Sequence, residues 1–143
     1  MTIAIDFDGT IVEHRYPEIG EEIPFAIDTL KMLIREHHKL ILWTVREGSL
    51  LDEAVAWCRE RGVEFYAVNR DYPEETTSNN PRFSRKLKAD VFIDDRNIGG
   101  LPDWGTIYRM ITEKCQWSDI LNDDTTASFE SHSRPSRKRW WQF

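Results

Sequence analysis

Two aspartates two residues apart, Asp6 and Asp8, close the apolar run Ile3-Ala4-Ile5, and Gly9 and Thr10 follow them. Residues i and i+2 of a strand share a face, so an Asp-x-Asp pair at a strand end brings two carboxylates to one edge of a sheet. Gly9 lets the backbone turn sharply and come close to a ligand. One carboxylate can attack a phosphorus centre while its neighbour manages the proton of the leaving group. Three more groups share this placement. Thr44 closes the apolar run Leu40-Ile41-Leu42-Trp43, with Arg46 just after it. The basic stretch Arg85-Lys86-Leu87-Lys88 precedes another apolar run, which ends in the acidic pair Asp94-Asp95 and then Arg96 and Asn97.

A phosphate monoester needs a nucleophile, a proton donor for the departing oxygen, and positive charge around its equatorial oxygens. A carboxylate attacking a dianion suffers like-charge repulsion, which a cation between them relieves. Hard oxygen ligands favour Mg²⁺. Asp6 and Asp94 can supply such ligands, Lys86 can neutralise the phosphate, Thr44 can donate to it and Arg46 is placed to touch substrate. A calcium loop can also open on Asp-x-Asp, but here Ile11 stands where that loop needs its glycine, and a strand precedes the motif.

The elements that must position these groups alternate. Residues 2–6 read as a buried strand. Ile23, Ile27, Leu30 and Ile34 recur at helical spacing and predict a helix ending near His37. Residues 40–44 form a continuous apolar strand, as in a sheet covered on both faces. Ser49 and Asp52 suggest a helix N-cap, Leu51, Ala54, Val55 and Cys58 line one face, and Gly62 sits where a C-terminal cap belongs. Residues 63–68 and 90–94 read as further strands, and 69–84 as loop because of its prolines, asparagines and hydroxyls. Pro102 and Asp103 open a last helix carrying Trp104, Ile107, Tyr108, Ile111 and Cys115 on one face. The expected fold is α/β: a three-layer sandwich around a mostly parallel, Rossmann-like sheet. Ligands of such sheets bind beyond the carboxyl ends of the strands, where Asp6, Thr44 and Asp94 fall.

In order and placement the four groups resemble the motifs of the haloacid dehalogenase (HAD) superfamily of phosphatases, and within it a group of small bacterial members. The resemblance covers about residues 1–117 and includes the stretch from Lys86 to Arg96 and Gly99-Gly100-Leu101-Pro102-Asp103-Trp104. It implies a Mg²⁺-dependent phosphatase with Asp6 as nucleophile forming an aspartyl-phosphate and Asp8 as general acid and then base. It further implies Thr44 and Lys86 as phosphate ligands. Asp94 would hold Mg²⁺ with Asp6 and the backbone carbonyl of Asp8, and Asp95 would act through metal-bound water. Lys88 competes with Lys86 for its role, and the fifth core strand common in the superfamily is missing. The intervals between the motifs leave no room for a cap domain, so the site is expected to be open, or covered by the 69–84 loop or an oligomer partner.

A chain of 143 residues supports one substantial domain. No run is long enough to span a bilayer, and the first strand starts too early for a signal or transit peptide. Cys58 and Cys115, far apart on apolar helix faces, read as buried free thiols, which with the missing leader points to the cytoplasm. The formal charge of −6 disfavours nucleic acid as substrate and favours a small phosphorylated metabolite, a nucleotide or sugar phosphate. Residues 118–143 lose all periodicity and read as a flexible tail ending in Arg134, Arg137, Lys138, Arg139, Trp140 and Trp141. Two alternatives follow: an open-site phosphatase for polynucleotide or protein, or a non-catalytic scaffold that binds through this basic aromatic tail. His14, His37, His38 and His132 have no partner at metal-ligand spacing and read as solvated surface, with His14, close to the first motif, within reach of substrate as the alternative. Trp43, Trp57 and Trp104 are expected in the core.

Overall fold

The computed structural model describes residues 1–76, 78–79, 86–116 and 118–120. Its elements run β1 (Thr2–Ile5), α1 (Ala26–Arg35), β2 (Lys39–Leu42), α2 (Gly48–Glu60), β3 (Ala67–Val68), β4 (Val91–Ile93) and α3 (Trp104–Glu113). The four strands form one sheet in the order β3-β2-β1-β4, and every pairing is parallel. The fold is α/β, consistent with a Rossmann-like three-layer sandwich. By compactness the chain divides into Met1–Trp104 and Gly105–Phe143, a boundary ahead of the one expected at residue 117. The expected tail lies outside the described residues apart from 118–120. No helix among the described residues is long and apolar enough to cross a membrane.

β1 is central because it can be buried on both faces: Ile3 and Ile5 are wholly buried and Ala4 nearly so. It pairs Thr2 to Ile5 with Lys39 to Leu42 on one side, and Ile3 to Ile5 with Val91 to Ile93 on the other. Leu40, Ile41 and Leu42 on β2 are equally enclosed, so both central strands are continuous apolar runs. Burying each such side chain contributes about 1.5–3 kcal/mol.

The strands are shorter than their apolar runs suggest. β3 holds two residues where 63–68 was expected, because only Ala67 and Val68 find ladder partners, Ile41 and Leu42. Val63 is buried but serves the end of α2, donating its N–H to the Cys58 carbonyl at 2.9 Å. β2 ends at Leu42, although the Trp43 N–H still reaches the Ile5 carbonyl at 2.8 Å. Helix starts also differ from expectation. Ile23 lies outside α1, bonded through its N–H to the Ile11 carbonyl, and the Glu22 carboxylate accepts the Ile27 N–H at 3.0 Å. Ser49 sits inside the first turn of α2 instead of capping it; the N-cap is Glu47, without a side-chain cap bond. Gly62 follows the C-cap as expected, with φ 84° and its N–H on the Arg59 carbonyl.

Candidate active site

β1 ends by placing Asp6 at the carboxyl edge of the sheet, its N–H held by the Ile93 carbonyl of β4 at 3.0 Å. β4 ends next door and delivers Asp94 and Asp95. One carboxylate oxygen from each of Asp6, Asp94 and Asp95 lies within 4.8 Å of the other two. The turn after Asp8 makes this approach possible: Gly9 has φ 85°, and a Cβ there would stand 2.3 Å from Asp95 Oδ2. Only glycine fits. Thr10, fully buried, ties the two strand ends together. Its Oγ1 accepts the Asp95 N–H at 3.1 Å and can donate to Asp6 Oδ2 (3.3 Å) or Asp95 Oδ1 (3.4 Å). The Thr10 carbonyl accepts from Trp104 Nε1 at 3.0 Å, which anchors the turn from below. Asp94 Oδ1 accepts the Arg96 N–H at 2.8 Å.

These carboxylates repel one another. Burial, and then the charges of Asp94 and Asp95, push the Asp6 carboxyl from 3.8 up to about 7, against the lowering effect of its hydrogen bond with the Phe7 backbone. Three hard oxygens so close, with the innermost group reluctant to ionise, fit a small divalent cation. Asp6, Asp94 and Asp95 are the residues that would hold it. The side chain of Asp8 is not among them, leaving only the backbone carbonyl that the resemblance assigns.

Asp8 is engaged elsewhere. Arg46 forks onto it with Nε to Oδ2 and Nη2 to Oδ1, both 2.7 Å. The same guanidinium donates to the carbonyls of Pro17 (3.1 Å), Leu50 (3.4 Å) and Glu18 (2.9 Å), so all five of its N–H groups have acceptors. It is fully buried between the Phe7 and Tyr16 rings, 5.2 and 5.3 Å from their centroids. Its hydrogen bond to Asp8 raises its pKa still further above the usual guanidinium value, so the two form an ion pair in the resting site. The expectation that Arg46 touches substrate is therefore corrected: it holds Asp8.

Thr44 matches its expected place. Asn69, with φ 53°, turns its Oδ1 to the Thr44 N–H at 2.8 Å, and Thr44 Oγ1 accepts the Arg46 N–H at 3.2 Å, which leaves the hydroxyl proton for a ligand. A cavity of about 380 Å³ opens over these groups, lined by Asp6, Asp8, Thr44 and Asp94 together with His14, Tyr16, Trp43, Val45 and Arg96. His14 lines the cavity, the alternative to the solvated surface position expected of it. Among the described residues lining the cavity, Arg96 supplies the permanent cation. Lys86 is not one of them: its Nζ stands over the Phe92 ring at 5.1 Å. Lys88 does not line the cavity either, and its backbone N–H donates to Asp71 Oδ1 at 2.7 Å. Tyr16, Val45 and Arg96 were missed as site residues, although Val45 and Arg96 directly follow motif residues. Trp43 is only part core, packed on Ala4, Ile41, Ala67 and Leu87 while it faces the cavity.

No protein-family model matches the chain, and no curated protein does. The chain is similar to the solved structure of a conserved protein from Bacteroides thetaiotaomicron, with 71% sequence identity, a TM-score of 0.78, and coverage of 84% of this chain and 96% of that one. At that identity over nearly the whole of the other protein, this chain belongs with it to one family of conserved proteins.

Proposed function

We propose that the chain is a Mg²⁺-dependent phosphatase of the HAD type that hydrolyses a small phosphate monoester through an aspartyl-phosphate at Asp6. The observation that carries this reading is the cluster of Asp6, Asp94 and Asp95, whose ligand oxygens lie within 4.8 Å of one another at the carboxyl edge of a parallel sheet. The bound cation would supply the positive charge that lets an anionic nucleophile approach an anionic ester. Asp6 Oδ attacks phosphorus and the ester oxygen leaves with a proton from Asp8. To give that proton, one Asp8 oxygen turns from Arg46, takes up the proton of a monoanionic ester as it binds and passes it to the leaving oxygen, while the other oxygen stays held. Asp8 then takes a proton from the water that cleaves the acyl phosphate. The Thr44 hydroxyl donates to an equatorial oxygen, and Arg96 is the cation at the cavity rim. Cys58 and Cys115 are buried free thiols, in keeping with a reducing, cytoplasmic compartment.

The deciding experiment is hydrolysis of an aryl phosphate with Mg²⁺ and with EDTA, for the wild type and Asp6→Asn. Metal-dependent turnover should fall by at least about 10⁴-fold in the variant, which keeps the shape of the carboxylate and removes its nucleophilic oxygen anion. Turnover that survives the substitution rules out Asp6 as nucleophile.

A further inference from the structure

We propose that the cavity selects phosphate monoesters whose alcohol carries a planar aromatic group, a nucleoside monophosphate being the form that fits; this rests on the phosphatase reading above. The floor of the cavity is carboxylate and hydroxyl, but the wall beyond it is not. Val45 is 77% exposed and Tyr16 47% exposed, and both line the cavity beside Trp43. Large apolar side chains left open at the rim of a charged pocket mark the place where an apolar part of a ligand lies. Two of the three are aromatic, and the Tyr16 ring is held from behind by the Arg46 guanidinium at 5.3 Å, so it presents a rigid face.

A sugar phosphate has the opposite requirement. Its ring is covered with hydroxyls on every side, each of which needs a donor or acceptor, whereas beyond the residues engaged with the phosphate the wall offers four polar groups, on His14 and Arg96 and at the edges of the Tyr16 and Trp43 rings, and otherwise apolar surface. A volume of about 380 Å³ is at the low end for small-molecule sites and suits a phosphate with one ribose and one base beyond it. An aryl phosphate shares the planar face, and the experiment separates it from a nucleotide.

The test compares kcat/KM for adenosine 5′-monophosphate and ribose 5-phosphate, which present the same ester and differ in the base. A preference for the nucleotide of about tenfold or more is expected, the size of one good aromatic contact. That ratio should shrink in Val45→Ser and in Tyr16→Ala. A phosphotyrosine arm with a KM well below that of the nucleotide would assign the wall to aryl phosphates instead. Equal use of the nucleotide and ribose 5-phosphate, with turnover still lost in Asp6→Asn, overturns the proposal and leaves the phosphatase reading standing. If neither these nor an aryl phosphate is turned over, the phosphatase reading has failed, and calorimetry on the wild-type protein decides the selectivity alone. Binding of the nucleotide without ribose 5-phosphate then supports it, and equal or no binding overturns it.

Discussion

Arg46 has no N–H left for a substrate, and its value lies in what it holds. With Asp8 only 6% exposed, removing the guanidinium leaves a carboxylate enclosed without its counter-charge. Arg46→Gln should therefore cost about 3–5 kcal/mol of stability in a denaturant titration. Arg46→Lys should fall between, because an ammonium keeps the charge but cannot fork onto two oxygens. Equal midpoints for the wild type and Arg46→Gln would mean that the pair is not holding the fold. This role was not legible in the sequence. Arg46 stands two residues after a threonine at a strand end, which suggested contact with substrate, but its partner Asp8 lies 38 residues away. Nothing local states which way a long side chain turns. Thr10 is similar: it was visible inside the first motif, while its task of joining Asp6 to Asp95 depends on the pairing of β1 with β4.

Helix ends show two solutions to one geometric demand. α2 and α1 both finish with paired hydrogen bonds from the residues beyond the C-cap to the last turn. Gly62 and Val63 donate to Arg59 and Cys58, and His37 and His38 donate to Ile34 and Leu33. The first residue of each pair must turn left-handed, with φ 84° at Gly62 and φ 65° at His37. Glycine does this freely, whereas a histidine strains its Cβ. His37→Gly should therefore stabilise the protein by about 1 kcal/mol and raise Tm by about 2–4 °C in calorimetry. An unchanged or lower Tm would show that the exposed imidazole contributes more than the strain removes. At this scale the sequence was informative where composition forces the outcome. Gly62 marked a helix end, and the apolar run at 40–42 marked a buried strand. It was less informative about extent, because periodicity reports which residues are buried and not which find a ladder partner. That is why Val63 was read as strand, and why Ile23, half-buried and tied by its backbone N–H to Ile11, was read as helix.

Across the whole molecule, the acidic cluster links stability to pH and, under the proposed function, to metal. A carboxyl whose pKa is raised on folding, from 3.8 to about 7 at Asp6, binds its proton more tightly in the folded state. The folded state then holds more protons than the unfolded one between pH 4 and 7. Stability from this group is full below about pH 4 and declines as pH rises through about 7. The upper bound is about 4 kcal/mol, reduced by the solvent that reaches this partly exposed site. Metal-free wild type should lose Tm relative to Asp6→Asn over that range, and Mg²⁺ should restore it, most strongly above pH 7. Parallel Tm curves for the two proteins would remove Asp6 as the source. The α/β class and the convergence of Asp6, Asp94 and Asp95 were legible because strand ends and motif order together determine where a parallel sheet gathers its polar residues. The cavity wall was not, since Tyr16 reaches it from a loop that no periodicity describes. Finally, the floor and the wall keep different time. The amides of Asp6 and Trp43 are locked into the central ladder, on Ile93 and Ile5. Their deuterium uptake should wait for the sheet to open as a unit, while the exposed Val45 segment exchanges early. On the proposed function, ligand entry and exit would follow the quick rim, over a floor held still by the ladder.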